Sequence, residues 1–479
     1  MRGLAAGAAA RLDTFVNEDR IALAVTGLSG AGKTVFITSL VNNLLALGRA
    51  AGQGRDTLPR LTAALRGPDG ASRLRGVRVL AHDGALPAFD YAGKLASLSA
   101  DTPAWPAPTR DMARISLAID VERRGPLARR LAGPRRVRLD ILDYPGEWLL
   151  DLPLLRHSFA AWSAEALALL RTPPRAAVAA PFLAFLAGLN PAGPADAVAI
   201  AQGHALYRAA LRGCAAIGLR YLQPGRFLAA PAADDPPFLA FFPLEGRGAT
   251  AGLLAGRFAA YQRHVRRTFF DTRFRRFDRQ VMLVDLLSAL HAGRAAFEDT
   301  ARAVADIARG LREGWGGGLR ADGLPLAHHV PSVLLGGRVV PRPIGRVAFV
   351  ATKADHVPAL RRENLRNLLR ALAAPAAGGL AGPAVSYHAA AAVLATRDGT
   401  ARIAGRAAEV VQGVVLGEAQ ARAFHVGDVP SGLPPDSFWS DSYFTLPVFR
   451  PPRIVADGSH GIPHLGLDII LAELIGDRL

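Results

Sequence analysis

Short, almost wholly apolar runs recur along the chain, and most of them end in a glycine-rich or polar turn. The first run, Ile21–Thr26, is followed after such a turn by apolar residues at helical spacing from Val35 to Leu47. Similar runs occupy residues 138–142, 281–285, 346–351 and 385–388, and an alternating run occupies residues 114–120. Apolar runs of this length are typical of strands buried on both faces of a parallel sheet. The pattern therefore predicts an α/β fold with a mostly parallel sheet.

The segment between the runs at 138–142 and 281–285 is longer than one strand–helix connection requires. It is rich in Ala and Leu, with proline-rich breaks at residues 173–174 and 234–237. Because loops of this length without secondary structure are uncommon, we predict a helical insertion. The predicted segments are the first part of an α/β core (1–148), the large helical insertion (149–278), the second part of the core (279–408), and a small β-rich appendage with a C-terminal helix near Leu467–Ile475 (409–479).

Composition narrows the class of protein. The 479 residues are 50% hydrophobic and 20% charged, which excludes a wholly disordered chain. The single cysteine, Cys214, excludes an intramolecular disulfide and a cysteine metal cluster, and it fits a reducing compartment. The most apolar segment, Ala176–Leu189, is interrupted by Pro181 and Gly188 and is shorter than the roughly 20 residues of a spanning helix. We interpret it as a buried or interfacial helix, and residues 1–17 as an N-terminal helix rather than a signal peptide.

A glycine-rich turn joins the first predicted strand to the first predicted helix. Residues 27–34 read Gly-Leu-Ser-Gly-Ala-Gly-Lys-Thr, which matches the phosphate-loop pattern G-x-x-x-x-G-K-[ST]. The glycines let backbone N–H groups face phosphate oxygens, Lys33 reaches the β- and γ-phosphates, and the Thr34 hydroxyl binds Mg²⁺. We predict that a nucleotide binds through Gly27, Ser29, Gly30, Ala31, Gly32, Lys33, Thr34 and Val35.

A second motif, Asp-Tyr-Pro-Gly-Glu-Trp, occupies residues 143–148 directly after a predicted strand. A carboxylate at the C-terminal end of a parallel strand lies where P-loop proteins bind Mg²⁺, so we expect Asp143 to hold the ion, usually through water. Asp140 is less suitable because it lies inside the strand. Gly146 is expected to offer its N–H to the γ-phosphate. Glu147 either orients the attacking water or points away from the phosphate, and both alternatives stay open.

The switch threonine that would meet Mg²⁺ and the γ-phosphate is expected just before the alternating strand at 114–120. Thr109 lies at this place, at the end of a proline-rich stretch, and Thr102 is its rival. An ordinary loop residue is the competing interpretation of Thr109.

A third motif, Thr352-Lys353-Ala354-Asp355, follows the predicted strand at 346–351. The Asp355 carboxylate can accept both N1–H and N2–H₂ of guanine, which adenine does not offer, and the Lys353 stem can cover the base. Related GTPases carry Asn where this chain has Thr352, which weakens the prediction of guanine. Small residues after the strand at 385–388 predict that the backbone N–H groups of Ala392 and Val393 approach the guanine carbonyl.

Basic residues are unevenly distributed between lysine and arginine. The net charge is +17, from 57 Lys and Arg against 40 Asp and Glu, and only Lys33, Lys94 and Lys353 are lysines. Because the chain uses Arg almost throughout, a retained lysine indicates a role that the bulkier, planar guanidinium cannot fill. Two of the three lie in the phosphate loop and in the third motif.

Two arginine-rich segments, residues 123–138 and 263–279, suggest an alternative function. The second contains Phe269, Phe270, Phe274 and Phe277, a mixture that can meet acidic lipid headgroups or nucleic acid. An amphipathic helix with Arg in solvent and Phe in the core is the favoured interpretation. No nucleic-acid-binding module is evident, so nucleic acid is not expected as a partner.

The order of the motifs resembles Ras-like and translation-factor-like P-loop GTPases, and it is closer to the YcjX-like family of bacterial P-loop stress proteins. The segments that carry this resemblance are 27–34, 105–109, 143–148, 279–285, 351–357 and 449–477. The resemblance implies a protein that binds GTP and GDP with Mg²⁺ and hydrolyses GTP. It implies a cytoplasmic location, with a peripheral position at the inner membrane as the alternative. It also implies a link to envelope stress and a small membrane-protein partner. An ATPase on the same loop is the alternative function.

Overall fold

The computed structural model describes residues 18–49, 56–67, 69–84, 86–109, 111–123, 134–228, 236–270, 274, 277–316, 344–378, 383–403, 405–441 and 444–479. The predicted N-terminal helix and most of the first arginine-rich segment lie outside the described residues.

A seven-stranded sheet forms the centre of the fold, with the strand order β2-β3-β4-β1-β5-β6-β7. Strands β4, β1, β5, β6 and β7 are parallel, and β2 and β3 run antiparallel to their neighbours. The strands are β1 (Glu18–Gly27), β2 (Leu74–Val79), β3 (Ala113–Val121), β4 (Arg135–Asp143), β5 (Arg279–Val284), β6 (Arg346–Ala351) and β7 (Ala384–Ala389). The predicted α/β class with a mostly parallel sheet is confirmed.

Helices cover both faces of this sheet. The side chains on both faces of its central strands are therefore buried, and most of them are apolar. Leu23 of β1 packs with one set of helices and Ala24 with the other, as the two-residue period of a strand requires. One face carries α1 (Lys33–Arg49), α2 (Pro59–Ala64) and α13 (Leu467–Ile475); the other carries α9 (Leu286–His291), α10 (Arg294–Gly316) and α11 (Arg362–Ala377). A further helix, α3 (Tyr91–Ser99), lies beside α1.

Five α-helices lie among the described residues between β4 and β5, where the helical insertion was predicted. They are α4 (Asp151–Leu154), α5 (Phe159–Leu170), α6 (Arg175–Gly188), α7 (Ala197–Ala216) and α8 (Ala249–Val265). They enclose a separate aromatic core that includes Trp162, Phe182, Tyr207, Phe241, Phe258 and Tyr261. Within the described ranges, no helix is both long and apolar enough to cross a membrane.

A small antiparallel sheet, of order β10-β9-β8, follows the main sheet. Its strands are β8 (Thr396–Ile403), β9 (Arg406–Val414) and β10 (Ala421–Phe424), and a short helix, α12 (Asp436–Asp441), comes after them. The sheet thus begins before the predicted boundary at residue 409, which falls inside β9. The partly buried positions of β8 include the small residues Gly399 and Ala401, so the sequence shows no clear alternation of apolar and polar residues there.

Three of the four phenylalanines of the second arginine-rich segment are core residues, and the fourth, Phe270, is partly buried against them. Phe269, Phe274 and Phe277 are each no more than 1% exposed, and Phe269 and Phe277 pack against the Tyr144 ring. Residues 266–270 form one π-helical turn after α8. This arrangement agrees with the favoured interpretation of the segment as a helix with Phe in the core.

Candidate functional site

The phosphate-loop residues form an open turn between β1 and α1. Gly30 and Gly32 have φ values of +83° and +80°, a left-handed backbone that favours glycine. A Cβ on Gly27 would lie 2.6 Å from the carbonyl oxygen of Leu283, so only glycine fits there. The backbone N–H groups of Gly30 and Gly32 make no hydrogen bond within the described part of the chain. The turn therefore presents free donors at the N-terminus of α1.

The first predicted basic group faces this turn. Lys33 is the first residue of α1, and its Nζ donates to the carbonyl oxygen of Gly27 at 2.8 Å. The ammonium is half-buried and has no carboxylate within ion-pair distance among the described residues. Lys33 thus holds a positive charge over the loop, where an anion would lie.

Three oxygen-bearing side chains meet beside Lys33. The hydroxyl oxygens of Thr34 and Thr109 lie 3.3 Å apart, and the Thr109 N–H donates to Thr34 Oγ1 at 3.2 Å. Asp143 ends β4 next to them, and Thr109 donates a hydrogen bond to its carboxylate. The structure therefore brings Thr109 to the phosphate loop, whereas its rival Thr102 is exposed.

The Asp143 carboxylate is buried, which is unusual for an acidic side chain. It is 1% exposed, and its Oδ2 has no hydrogen-bond partner among the described residues. Burial raises its pKa from 3.8 to about 6, against the opposing effects of the Lys33 charge and the Thr109 hydrogen bond. One unpartnered carboxylate oxygen and two hydroxyls are a donor set that suits a small hard cation such as Mg²⁺. Asp140, by contrast, is occupied by Arg20 and Arg138 at 2.6 and 2.9 Å.

The turn after Asp143 packs directly on the phosphate loop. A Cβ on Gly146 would lie 2.4 Å from both the carbonyl carbon and oxygen of Gly27, so this contact requires glycine. Residues Gly146–Leu150 form a 3₁₀ helix. The Glu147 carboxylate makes no hydrogen bond or ion pair with any described residue. The backbone carbonyl oxygen of Glu147 lies against Gly225 of the insertion.

The third motif lies at the end of β6, on the same edge of the sheet. Lys353 has a φ of +60°, which is rare for a non-glycine residue, and its Nζ lies 2.6 Å from Asp285 Oδ2. Asp285 directly follows β5 and caps α9 by accepting the Ser288 N–H at 2.9 Å. Its Oδ2 is also 4.0 Å from where a Cβ on Gly30 would lie. Asp285 thus connects the phosphate loop to the third motif, a role that the sequence did not indicate.

Asp355 is almost completely buried, at 2% exposure. Its Oδ2 accepts the Ala395 N–H at 2.8 Å, and its backbone carbonyl accepts the Thr396 hydroxyl. An ionised carboxylate has about four lone-pair positions, so this contact leaves acceptors for a base. Thr352 turns away from Asp355, since its N–H and hydroxyl both donate to the Val284 carbonyl, at 3.0 and 3.4 Å.

The loop after β7 contacts α1, where the Ser39 hydroxyl donates to the Ala392 carbonyl oxygen at 2.5 Å. Neighbouring N–H groups along this loop, those of residues 390, 391, 394 and 395, are all engaged. Those of Ala392 and Val393 have no hydrogen-bond partner within the residues that the structure describes. These are the two amides that the sequence proposed as donors to a base.

Two further cations border the site, and sequence analysis assigned neither of them a role. Lys94 Nζ donates to the Ala107 carbonyl at 2.8 Å, in the loop that carries Thr109. Arg226, from the insertion, lies over the Trp148 ring with its Cζ 4.1 Å from the ring centroid. The scarcity of lysine could have identified Lys94, but nothing in the sequence singles out Arg226 among so many arginines.

The chain matches known proteins over almost its whole length. The family model described as "YcjX-like family, DUF463" matches residues 21–479. "Ras-like GTPase YcjX" of Escherichia coli (strain K12) is 34% identical over 487 residues, which cover 98% of this chain and 98% of that protein. A second "Ras-like GTPase YcjX", from Shewanella oneidensis, is 34% identical over 482 residues, covering 95% and 94%. The glycine-rich loop, the Asp143 turn and the Lys353 motif all lie inside the matched range, and the chain belongs to the YcjX-like family.

Proposed function

We propose that this protein binds GTP with Mg²⁺, hydrolyses it to GDP and phosphate, and acts as a nucleotide-dependent switch. The observation that carries the proposal is the meeting of Thr34, Thr109 and Asp143 beside the phosphate-loop lysine. These residues come from α1, from the loop before β3 and from the end of β4. A loop held by a hydroxyl contact of this kind can close on a triphosphate and open on a diphosphate.

The chain supplies the groups that a triphosphate requires. The unpartnered N–H groups of Gly30 and Gly32 and the ammonium of Lys33 would bind the phosphate oxygens. Thr34, Thr109 and the unpartnered Oδ2 of Asp143 would hold Mg²⁺. When bound, Mg²⁺ neutralises charge between the β- and γ-phosphates.

Guanine is the base that the third motif favours. Asp355 is buried and keeps acceptor positions free, and the N–H groups of Ala392 and Val393 are available to a carbonyl such as guanine O6. Adenine presents an amino group at the same position and would leave these donors unpaired. The departure from the family pattern at Thr352 is the reason to keep ATP as the competing substrate.

Hydrolysis needs a water molecule in line with the γ-phosphate and a group that orients it. Gly146 lies close enough to the phosphate loop for its N–H to face the γ-phosphate. Glu147 is the water-orienting candidate, because its carboxylate is not committed to another group among the described residues. We propose a slow intrinsic rate that a partner raises. If Glu147 orients the water, Glu147→Ala should lower the single-turnover rate and leave GDP affinity unchanged.

The cellular setting of the proposal rests on the family resemblance alone. We propose that the switch acts in an envelope stress response, in the cytoplasm or at the inner-membrane surface, with a small membrane protein as partner. Binding to an anionic membrane or to nucleic acid through arginine-rich segments is the second candidate function. The burial of Phe269, Phe274 and Phe277 argues against it for the second of those segments.

Calorimetric titration with GTP, GDP and ATP, with and without Mg²⁺, tests the proposal. We expect GTP and GDP to bind more tightly than ATP, and Mg²⁺ to strengthen GTP binding. Asp355→Asn should weaken GTP and favour xanthosine triphosphate, because Asn can donate to the C2 carbonyl of xanthine. Asp196→Asn, at an exposed helix cap, is the control. Tighter binding of ATP than of GTP would overturn the proposal.

A further inference from the structure

The third lysine of the chain lies beside the same site as the other two. Lys94 is on α3, which begins at Tyr91 with Asp90 as its cap, since Asp90 Oδ1 accepts the Gly93 N–H at 3.0 Å. The Tyr91 hydroxyl donates to Asn42 Oδ1 of α1 at 3.0 Å. Leu98 is fully buried in a small cluster that also contains Val35. These contacts fix α3 against the helix that begins in the phosphate loop.

From this position Lys94 reaches the loop that carries Thr109. Its Nζ donates to the carbonyl of Ala107, two residues before Thr109, at 2.8 Å. Thr109 in turn contacts Thr34 through both its N–H and its hydroxyl. A chain of hydrogen bonds therefore runs from the ammonium through the loop backbone to α1. Loss of the Lys94 contact would free the loop at its proline-rich side.

The Lys94 ammonium has capacity for a further partner. It carries three N–H donors, and Ala107 is its one hydrogen-bond acceptor in the described part of the chain. The nearby carboxylates are committed elsewhere, since Asp90 caps α3 and Asp101 pairs with Arg453 at 2.9 Å. The ammonium is thus an uncompensated cation on the side of the site where Thr109 and Asp143 meet.

We propose that Lys94 is a second phosphate-binding lysine, which donates to an oxygen of the terminal phosphate and holds the Thr109 loop closed over it. The inference rests on the proposed function, because it presupposes a guanosine triphosphate in the site. It adds a group from outside the phosphate loop that distinguishes a triphosphate from a diphosphate. Arginine replaces it only in part, because the planar guanidinium is bulkier than the compact ammonium and holds its donors in a fixed fork.

The test compares GDP with a non-hydrolysable GTP analogue in the presence of Mg²⁺. In Lys94→Met, which keeps most of the length of the side chain but not its charge, the analogue should bind about tenfold to a hundredfold more weakly, as expected for a lost hydrogen bond to a charged group. GDP affinity should change by less than about twofold, because GDP has no terminal phosphate to lose. Lys94→Arg should restore part of the analogue affinity through its charge.

Ser97→Ala is the matched control. Ser97 lies on the same helix, and its hydroxyl donates only to the Gly93 carbonyl, so this variant should bind both nucleotides like the wild type. Equal weakening of GDP and the analogue in Lys94→Met, or no weakening of either, would overturn the inference while leaving the proposed function intact. Failure of the wild-type protein to bind guanine nucleotides would instead overturn the proposed function.

Discussion

The guanidinium of Arg226 lies over the ring of Trp148 and 3.6 Å from the carboxylate of Asp151. Arg226 lies late in the helical insertion, whereas Trp148 and Asp151 directly follow the Gly146 turn that packs on the phosphate loop, and Asp151 begins the first helix of the insertion. Asp151 also accepts the Gly225 N–H at 2.7 Å and the Tyr261 hydroxyl at 2.6 Å. The later part of the insertion is therefore attached to the segment that directly follows this turn.

Arg226→Met should destabilise the protein, because it removes the cation from a fully buried carboxylate. One-sided removal of a buried ion pair costs about 3 kcal/mol or more in the free energy of unfolding. Arg171→Met is the control: Arg171 and Glu245 form an exposed pair, 55% and 50% accessible, whose loss should cost less than about 1 kcal/mol. Urea denaturation followed by circular dichroism measures both. Equal losses would contradict the role of Arg226.

The helices and strands that could be predicted from the sequence are those whose buried positions form a continuous or periodic run of apolar residues. The run Ile21–Thr26 indicated β1 because both its faces are covered, and the helix Leu467–Ile475 has its predicted bounds. Strand β2 (Leu74–Val79) was not predicted. It lies at the edge of the sheet, three of its residues are arginine or glycine, and its outer positions are exposed, so no apolar run marks it.

The site divides in the same way. The phosphate loop could be predicted because residues 27–34 are consecutive in the chain and match one known sequence pattern. The choice of Thr109 over Thr102 could not, since it depends on which residue the folded loop brings to Thr34. The Asp285–Lys353 pair joins positions 68 residues apart, and that distance is closed only by the pairing of β5 with β6.

Gly146→Ala should separate binding from hydrolysis. The new Cβ would lie 2.4 Å from Gly27, so the Gly146 turn must retreat from the phosphate loop. A displacement of about 1 Å at a reacting group can cost about a hundredfold in rate. We therefore expect single-turnover GTP hydrolysis to fall by about that factor, with GDP affinity nearly unchanged.

The control for this substitution is Gly252→Ala in α8. A Cβ at Gly252 meets nothing within 4 Å, and alanine is favoured over glycine in a helix by about 1 kcal/mol. This variant should be slightly more stable and hydrolyse GTP at the wild-type rate. A Gly146→Ala protein with normal hydrolysis would show that the turn does not need its close approach to Gly27.

Asp151 should make stability depend on pH. Burial raises its pKa from 3.8 to about 6, so the folded protein retains a proton that the unfolded chain has lost between these values. Its contribution to the free energy of unfolding should fall as the pH rises from about 4 to about 6, and stay level above that. Asp151→Asn should remove this part of the slope, whereas Asp196→Asn, at an exposed cap, should keep it. Denaturation midpoints across this range provide the measurement, and an unchanged slope in Asp151→Asn would contradict the assignment.

Asp285→Ala should weaken the base side of the site and leave the phosphate side intact. The substitution frees the Lys353 ammonium, and it removes a helix cap worth about 1 kcal/mol. We expect GTP and GDP to lose affinity equally, by about tenfold, because both nucleotides carry the same base. Ser288→Ala is the comparison variant: it keeps the N–H that Asp285 accepts and the Asp285–Lys353 pair, and it removes only the hydroxyl that contacts both side chains, so it should lose less affinity than Asp285→Ala. Calorimetry with both nucleotides decides the matter: a loss confined to GTP would place Asp285 with the phosphates, through its approach to Gly30, rather than with the base.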